Sequence, residues 1–444
     1  MRQDQYKAGK ELRKKISRKS QADFKRPGKR DTVLNMIKAS NYDRIPELIP
    51  IRHFRMSQSP FAFYRGTASL MAYDLFHQPH TEQPVQAIGD CHLMNFGGFA
   101  TPERAMVIDA NDFDETHPAP WEWDVKRLAT SFVLAARNKN LAEDDAKNIA
   151  TALTTSYRQN MFEFADMNML DLWYMKFDLK LLRAKARNNA LKTLIDEALK
   201  KANQQTQQKV FYKITTNVLG SFEITDQPPL IYHPIDVKKE HAMIAIFMEK
   251  YIETLQPDRR WLISNYKVVD VALKVVGVGS VGTRCMVVLL MNSKDEPLFL
   301  QVKEARQSVL EKYTRPSAYA HHGQRVVEGQ RLVQAASDIF LGWSTGPNGR
   351  AFYFRQLRDR KIAPDIDLLN KQNLAAYAET CGRMLARAHA KTGNPSLLCG
   401  YMGNSDSFDT AVTDFSIAYA NQTEKDYEDF MKAIKAGKLP IAKE

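Results

Sequence analysis

Residues 268–303 constrain the fold more than any other stretch of this chain. They read VVDVALKVV, then GVGSVG, then TRCMVVLLM, then a polar turn at Asn292-Ser293-Lys294-Asp295, then PLFLQVK. β-Branched and apolar runs of this length, bounded by Gly, Asn, Ser and Asp, predict strands. The stretch is therefore a glycine-loop hairpin followed by a third strand. Gly277-Val278-Gly279-Ser280-Val281-Gly282 also fits the G-x-G-x-x-G of a dinucleotide-binding turn, but that turn opens directly into a helix. Thr283 to Met291 is β-branched and apolar, so strand-loop-strand is the better reading. Glycines at 277, 279 and 282, with Ser280 between them, let backbone N–H groups approach a phosphate without a Cβ in the way. In the third strand, alternation puts Leu298, Leu300 and Val302 on one face and Lys303 on the other.

The rest of the chain frames this β segment with helices. Val125, Leu128, Ala129, Phe132 and Val133 recur at helical spacing, and helix-compatible sequence continues to about residue 210. Two short apolar runs, Asp338 to Trp343 and Phe352 to Leu357, flank Gly346-Pro347-Asn348-Gly349 and predict another hairpin. Helical spacing returns with Leu374, Tyr377, Ala378, Cys381, Leu385 and Ala388. With 44% hydrophobic residues and 10% aromatics in 444 residues, there is material for a large core in a bilobal or two-domain protein. No run of eighteen apolar residues occurs, and Met1 to Lys10 lacks the apolar segment of a signal peptide, so a cytoplasmic location is expected. Cys91, Cys285, Cys381 and Cys399 are scattered without C-x-x-C spacing, which predicts buried small hydrophobes and not a zinc site or disulfide framework.

The net charge of +12 suggests nucleic acid at first sight. Its distribution argues otherwise: residues 1–30 hold twelve Lys and Arg against Asp4, Glu11 and Asp23, so most of the excess lies there. Such a segment reads as a solvated, partly helical extension able to bind a polyanion, while the folded body is not a basic-groove protein.

Two segments carry candidate chemistry. Ile88-Gly89-Asp90-Cys91-His92-Leu93-Met94-Asn95 sets an Asp and an Asn in one short polar loop. Phosphoryl transfer needs such a pair, an aspartate to orient the attacking hydroxyl and accept its proton, and an asparagine oxygen to ligate Mg²⁺ on the phosphates. Soon after comes Val107-Ile108-Asp109-Ala110-Asn111-Asp112-Phe113-Asp114-Glu115, an acidic cluster behind a short apolar strand, whose carboxylates complete a metal site. Either piece alone is explained by ordinary turn formation, since Asp and Asn populate turns for local hydrogen-bonding reasons. Together they are harder to dismiss.

G-D-x-H-x-x-N followed by I-D-x-x-D-F-D-E resembles the catalytic and metal-binding loops of the aminoglycoside phosphotransferase and choline kinase branch of the protein-kinase-like superfamily. In that branch a His stands where protein kinases have the loop lysine, matching His92. The resemblance implies Asp112 as metal ligand, because it precedes Asp124 in Trp121-Glu122-Trp123-Asp124-Val125-Lys126-Arg127-Leu128-Ala129 at the family's interval. Asp109 and Asp114 are then either second ligands or turn residues. Asp124 is implied to brace the catalytic-loop backbone without touching substrate. Lys303 resembles the nucleotide-binding lysine of the third strand, and Glu328, in Gly323-Gln324-Arg325-Val326-Val327-Glu328-Gly329-Gln330-Arg331, is the candidate helix glutamate to pair with it. Glu304 and Glu311 are nearer but worse placed. Gly329 interrupts helix propensity and marks close packing or a break.

In ordinary kinases the glycine loop precedes the catalytic loop; here the order is reversed. The segment Leu374 to Lys391 resembles the helix that directly precedes the catalytic loop in aminoglycoside kinases, yet lies near the C-terminus. A circular permutation explains all three displacements. The implied organisation is an α+β, bilobal, protein-kinase-like fold: a basic extension at 1–31, a helical catalytic lobe at 32–261 continued at 365–444, and a β-rich nucleotide lobe at 262–364. The implied activity is ATP- and Mg²⁺-dependent phosphotransfer to a hydroxyl of a small molecule or protein. Nucleotidyl (AMP) transfer and nucleotide binding without turnover are the alternatives. The chain also resembles, over nearly its whole length, a bacterial family known only as a domain of unknown function, through Ser59-Pro60-Phe61 with Arg65-Gly66, the loop at 89–97, Asn111 to Glu115 and residues 325–331. Arg55 and Arg65 are candidates to bind substrate or phosphate, with structural salt bridging as the plainer role.

Overall fold

The computed structural model describes residues 2–185, 189–204, 207–218, 221–233, 241–357 and 360–443. The fold is mixed α+β. Its largest sheet is antiparallel with six strands, in the spatial order Gly342–Thr345, Ala351–Gln356, Pro297–Glu304, Cys285–Asn292, Tyr266–Lys274 and Ile231–Tyr232. The predicted glycine-loop hairpin, third strand and second hairpin all lie in this sheet. Leu298, Leu300 and Val302 face a helix, His241–Glu253, whose Phe247, Met248 and Tyr251 join them in one buried cluster. There Tyr251 stacks on Phe354 with ring centroids 3.9 Å apart. The opposite face buries Phe299, Val287 and Leu289 against Phe211, Ile214 and Ile224. Both faces are covered, which is why these strands read as nearly continuous apolar runs.

This sheet recruits more of the chain than residues 262–364. Its edge strand Ile231–Tyr232 and the covering helix lie upstream of that boundary. At the other end, Lys361–Ile362 leaves the sheet and pairs with Phe96–Ala100, which itself pairs with Met106–Ala110. Short strands of two to four residues, such as Ile231–Tyr232 and Thr215–Val218, carry too little periodicity to be found from pattern alone.

The helical body is built on Trp121–Asn138, Glu143–Asp166, Lys371–Thr392 and Ser407–Lys435. Trp121–Asn138 is its axis: every residue from Trp121 to Ala136 is buried. Such a helix can carry ionisable side chains only where they are partnered, and the site described below uses two of them. The helix predicted near residue 374 starts at Lys371, where the Asn370 side chain accepts the Asn373 N–H at 2.9 Å. All four cysteines are free and buried.

The N-terminal segment departs from expectation. Residues 2–31 remain largely solvent-facing but are docked on the body: helix Arg2–Lys15 packs on helix Pro395–Met402, and Arg13 and Arg18 donate to the carbonyl oxygens of Gly400, Tyr401 and Met402 at the end of that helix. Cations at a helix C-terminus satisfy orphan carbonyls and complement the macrodipole. Arg30 is buried, 2.6 Å from Asp426 and 3.3 Å from Asp74. Charge that reads as a basic tail is thus partly consumed inside the protein.

Candidate functional site

The loop at 88–95 is held from below. Asp124, in the first turn of Trp121–Asn138, accepts the backbone N–H of Ile88 at 2.6 Å and of Gly89 at 3.0 Å. His389, near the end of Lys371–Thr392, stands 3.4 Å from Asp124 and bonds the Tyr157 hydroxyl at 2.9 Å through its other ring nitrogen. Tyr377, on the same helix, donates to the carbonyl oxygens of Leu93 and Phe96. Helix Lys371–Thr392 therefore packs beside the loop. Gly89 has φ +91, and a Cβ there would lie 2.2 Å from the Glu115 carbonyl oxygen, so a side chain is excluded both by conformation and by space.

Asp90 projects from this loop with its side chain about one-fifth exposed (22%). Arg127, three residues beyond Asp124 on the axial helix, grips Oδ1 through Nε at 2.8 Å and through a second bond from Nη2. Oδ2 lies 3.8 Å from His92 Nε2. Burial pushes the His92 imidazole down to about 4, against the pull of Asp90 and with Arg65 and Arg127 opposing its charge, so it is neutral at pH 7. The Asn95 amide nitrogen donates to the Asp90 carbonyl oxygen at 2.5 Å, which leaves Oδ1 as the donor atom suited to a hard cation.

The acidic segment follows strand Met106–Ala110. Asp112 and Asp114 reach the end of strand Pro297–Glu304, where Lys303 Nζ lies 3.3 Å from Asp112 Oδ1 and 2.5 Å from Asp114 Oδ2. Asp114 also accepts from the Tyr353 hydroxyl at 2.7 Å and the Ser280 hydroxyl at 3.3 Å. Burial acts to raise the Asp112 carboxyl, but Lys303 and Arg355 outweigh it and hold Asp112 well below the usual carboxylate range. Burial likewise opposes the Lys303 charge, and the two carboxylates override it, so the ammonium is held well above its ordinary value. Glu115 differs: burial pushes its carboxyl up to about 7, although its Oε2 accepts the Val309 N–H at 2.7 Å.

The glycine turn closes over this cluster. Gly277 and Gly282 have φ +67 and +86, and the turn is pinned from outside by Arg55 and Arg44, which donate to the carbonyl oxygens of Gly277 and Val281 at 2.5 Å each. Gly279, Ser280, Asp90, Asn95, Asp112 and Asp114 line one cavity of about 570 Å³. Lys303, 2% exposed, lies behind its carboxylate wall.

Two sequence candidates fall outside this arrangement. Asp109 is turned away from the cavity into a bidentate pair with the fully buried Arg387, at 2.8 and 2.9 Å, so its carboxylate closes a core ion pair and is not placed to bind a metal with Asp112. Glu328 pairs with Arg331 on its own helix at 2.9 Å. The expected pairing with Lys303 is not formed, because Asp112 and Asp114 occupy that ammonium. The side chain which this helix, His322–Val333, sends to the cluster is Arg325, donating to the carbonyl oxygens of Asp114, Thr116 and Arg306. The helix runs through Gly329 without a break; a Cβ there would come 2.4 Å from the Thr116 side chain, so close packing explains the glycine. Arg127 and Tyr353 were not among the sequence candidates. The i,i+3 relation of Arg127 to Asp124 is a signal that finds the first; Tyr353 carries none, since it becomes a neighbour of Asp114 only through cross-strand pairing with Lys303.

Among the described residues no group of three or more His, Cys, Asp or Glu side chains is arranged to hold a metal ion unaided. No curated protein and no solved structure matches the chain. One family model does, over residues 44–433, covering both loops, the glycine turn and Lys303. The chain belongs to the family described as uncharacterised proteins conserved in bacteria, DUF2252.

Proposed function

We propose that this protein is an ATP- and Mg²⁺-dependent phosphotransferase acting on a hydroxyl group, with a bilobal kinase-like fold whose elements are circularly permuted along the chain. One observation carries the reading: Lys303, on the sheet that bears the glycine turn, bonds Asp112 and Asp114, which are 191 and 189 residues away in sequence. Motifs of two unrelated sites have no reason to meet in this way. Asp90 and Asn95 open on the same cavity, and the bonds of Asp124 to the loop backbone and of His389 to Asp124 support the permuted reading.

Each residue then has a task. The backbone of Gly279 and Ser280 covers the phosphates, and Lys303, behind Asp112 and Asp114, holds both carboxylates toward the cavity and would reach the phosphates only by exchanging one of them. The acceptor hydroxyl attacks the γ-phosphorus, the bond from phosphorus to the β–γ bridging oxygen breaks to release ADP, and the hydroxyl proton passes to Asp90. Arg127 fixes the rotamer of Asp90 for this, which is positioning and not contact with substrate. His92, kept neutral, adds no second cation beside Asp90. The oxygen donors Asn95 Oδ1 and Asp112, with Asp114 adjacent, fit Mg²⁺, which takes one or two carboxylates and otherwise phosphate and water oxygens. When bound, that ion supplies neutralisation of the charge on the transferred group.

The test is Mg²⁺-dependent ATP consumption by the full chain against pooled hydroxyl-bearing metabolites, followed by intact-mass analysis of the product. A gain of one phosphate supports the proposal, a gain of AMP replaces it with nucleotidyl transfer, and absence of ATP binding removes both.

A further inference from the structure

The cavity has a second, cationic wall which the reaction above does not use. Arg44, Arg52, Arg65 and Arg306 all line it. Among the described residues, four buried arginines elsewhere have carboxylate partners, Arg30 with Asp426, Arg127 with Asp90, Arg158 with Asp409 and Arg387 with Asp109, while Arg325 is held by backbone carbonyl oxygens. The four arginines of the cavity wall likewise have no carboxylate in an ion pair with them. Arg44 donates to the carbonyl oxygens of Ser40 and Val281, and Arg306 to that of Tyr42. Arg52, 1% exposed, donates to the Asn41 side chain at 2.6 Å and the Gly66 carbonyl at 2.9 Å. The Nε atoms of Arg52 and Arg65 are buried without a hydrogen-bond partner, as are those of Arg30, Arg325 and Arg387, but only Arg52 and Arg65 line the cavity.

The nearby carboxylates are engaged with other partners and offset the charge only in part: Glu115 and Glu304 favour the Arg44 cation and Asp90 that of Arg65, and Asp31 on the same wall accepts from the Thr32 N–H and the Asn35 amide. Asp90 is taken by Arg127, Asp112 and Asp114 by Lys303, and Glu304 by Arg284 at 3.2 Å. Glu115 is raised to about 7 by burial. The arginines consequently work against one another: burial and then Arg306 push Arg44 down to about 10, and burial, Arg44 and Arg306 push Arg52 down. Gathering the half-buried Arg44, Arg65 and Arg306 around the buried Arg52 costs stability unless an anion joins them.

We propose that this wall is a subsite for a phosphate monoester carried by the acceptor, so that the substrate is already phosphorylated at a position away from its reacting hydroxyl. A planar carboxylate accepts one guanidinium fork well, whereas a phosphate offers three acceptor oxygens and close to two negative charges to donors converging from separate segments, Arg52 and Arg65 from two helices and Arg44 and Arg306 from loops. The proposal rests on the phosphotransferase reading for the word acceptor, but the subsite itself does not. The Arg65 carbonyl oxygen would stand 3.1 Å from a Cβ at Gly279, so this wall adjoins the glycine turn and shares the cavity with Asp90.

The experiment is calorimetric titration of inorganic phosphate into the full chain without Mg²⁺ or nucleotide, with succinate as the carboxylate arm. Expected are one phosphate site and affinity weakened about tenfold or more in Arg65→Gln and in Arg306→Gln. Thermal melts confirm that each variant is folded. No phosphate binding, equal binding in parent and Arg65→Gln, or succinate binding as tightly as phosphate overturns the proposal. Because ATP is absent throughout, failure here is distinct from failure of ATP turnover.

Discussion

Lys303 Nζ stands 2.5 Å from Asp114 Oδ2 with only 3% of the lysine side chain exposed. A buried ammonium with carboxylates on one side and Tyr353 and Ser280 closing the same carboxylate is a strongly coupled group, in which removal of one member leaves the others uncompensated.

Lys303→Met is therefore expected to remove nucleotide binding and to destabilise the protein by about 3 kcal/mol, the typical cost of breaking a buried ion pair from one side. Urea denaturation measures the second effect. A stability equal to the parent would mean that Asp112 and Asp114 are solvated well enough to need no partner.

Asp112→Asn and Asp109→Asn should separate the two acidic positions. The first is expected to abolish Mg²⁺-dependent ATP turnover in a folded protein. The second breaks the buried pair with Arg387, lowering stability by about 3–5 kcal/mol while turnover per folded molecule persists. Steady-state rates normalised to the folded fraction decide it, and the reverse pattern would move the metal role to Asp109.

The position of Glu115 predicts a pH dependence of stability. Its folded-state carboxyl is raised to about 7 from 4.5. The protonated form is thus favoured by folding; the contribution is fully present below the unfolded value near 4.5 and is lost as pH rises through about 7. Glu115→Gln keeps an acceptor for Val309 N–H and cannot ionise. It should have little effect on the urea midpoint at pH 4 and raise it relative to the parent at pH 8. Parallel midpoints at both pH values would show that Glu115 is not responsible.

Deletion of residues 1–25 should expose the surface of helix Pro395–Met402 and lower the melting temperature. A milder form of the same test is Gly9→Leu, since even a Cβ at Gly9 would stand 2.0 Å from the Leu397 carbonyl oxygen. Both are read by thermal melts. An unchanged melting temperature in both would restore the segment to the status of a solvated extension.

What the sequence determined by itself is mostly local. Strand texture around the glycine turn, with the alternation at Leu298, Leu300 and Val302, predicts three strands that are there, because period-2 patterning and turn residues act within a few positions of each other. The helices after Val125 and around Tyr377 are legible for the same reason, whereas the bracing role of Asp124 comes from the resemblance and not from local pattern.

Long-range pairing was settled only in three dimensions. Nothing in the residues around Glu328 announces that Arg331 takes it, or that Arg325 is the side chain that reaches the Asp114 backbone. Asp109 and Asp112 are chemically alike in sequence, and only the depth of strand Met106–Ala110, which delivers Asp109 to the buried Arg387, separates a core ion pair from a cavity wall. The N-terminal arginines read as free charge until helix Pro395–Met402 presents its carbonyl oxygens to them. Sequence fixes which side chains can ionise; which of them are neutralised inside the protein depends on partners hundreds of residues away, because burial makes each charge's free energy a property of its neighbours.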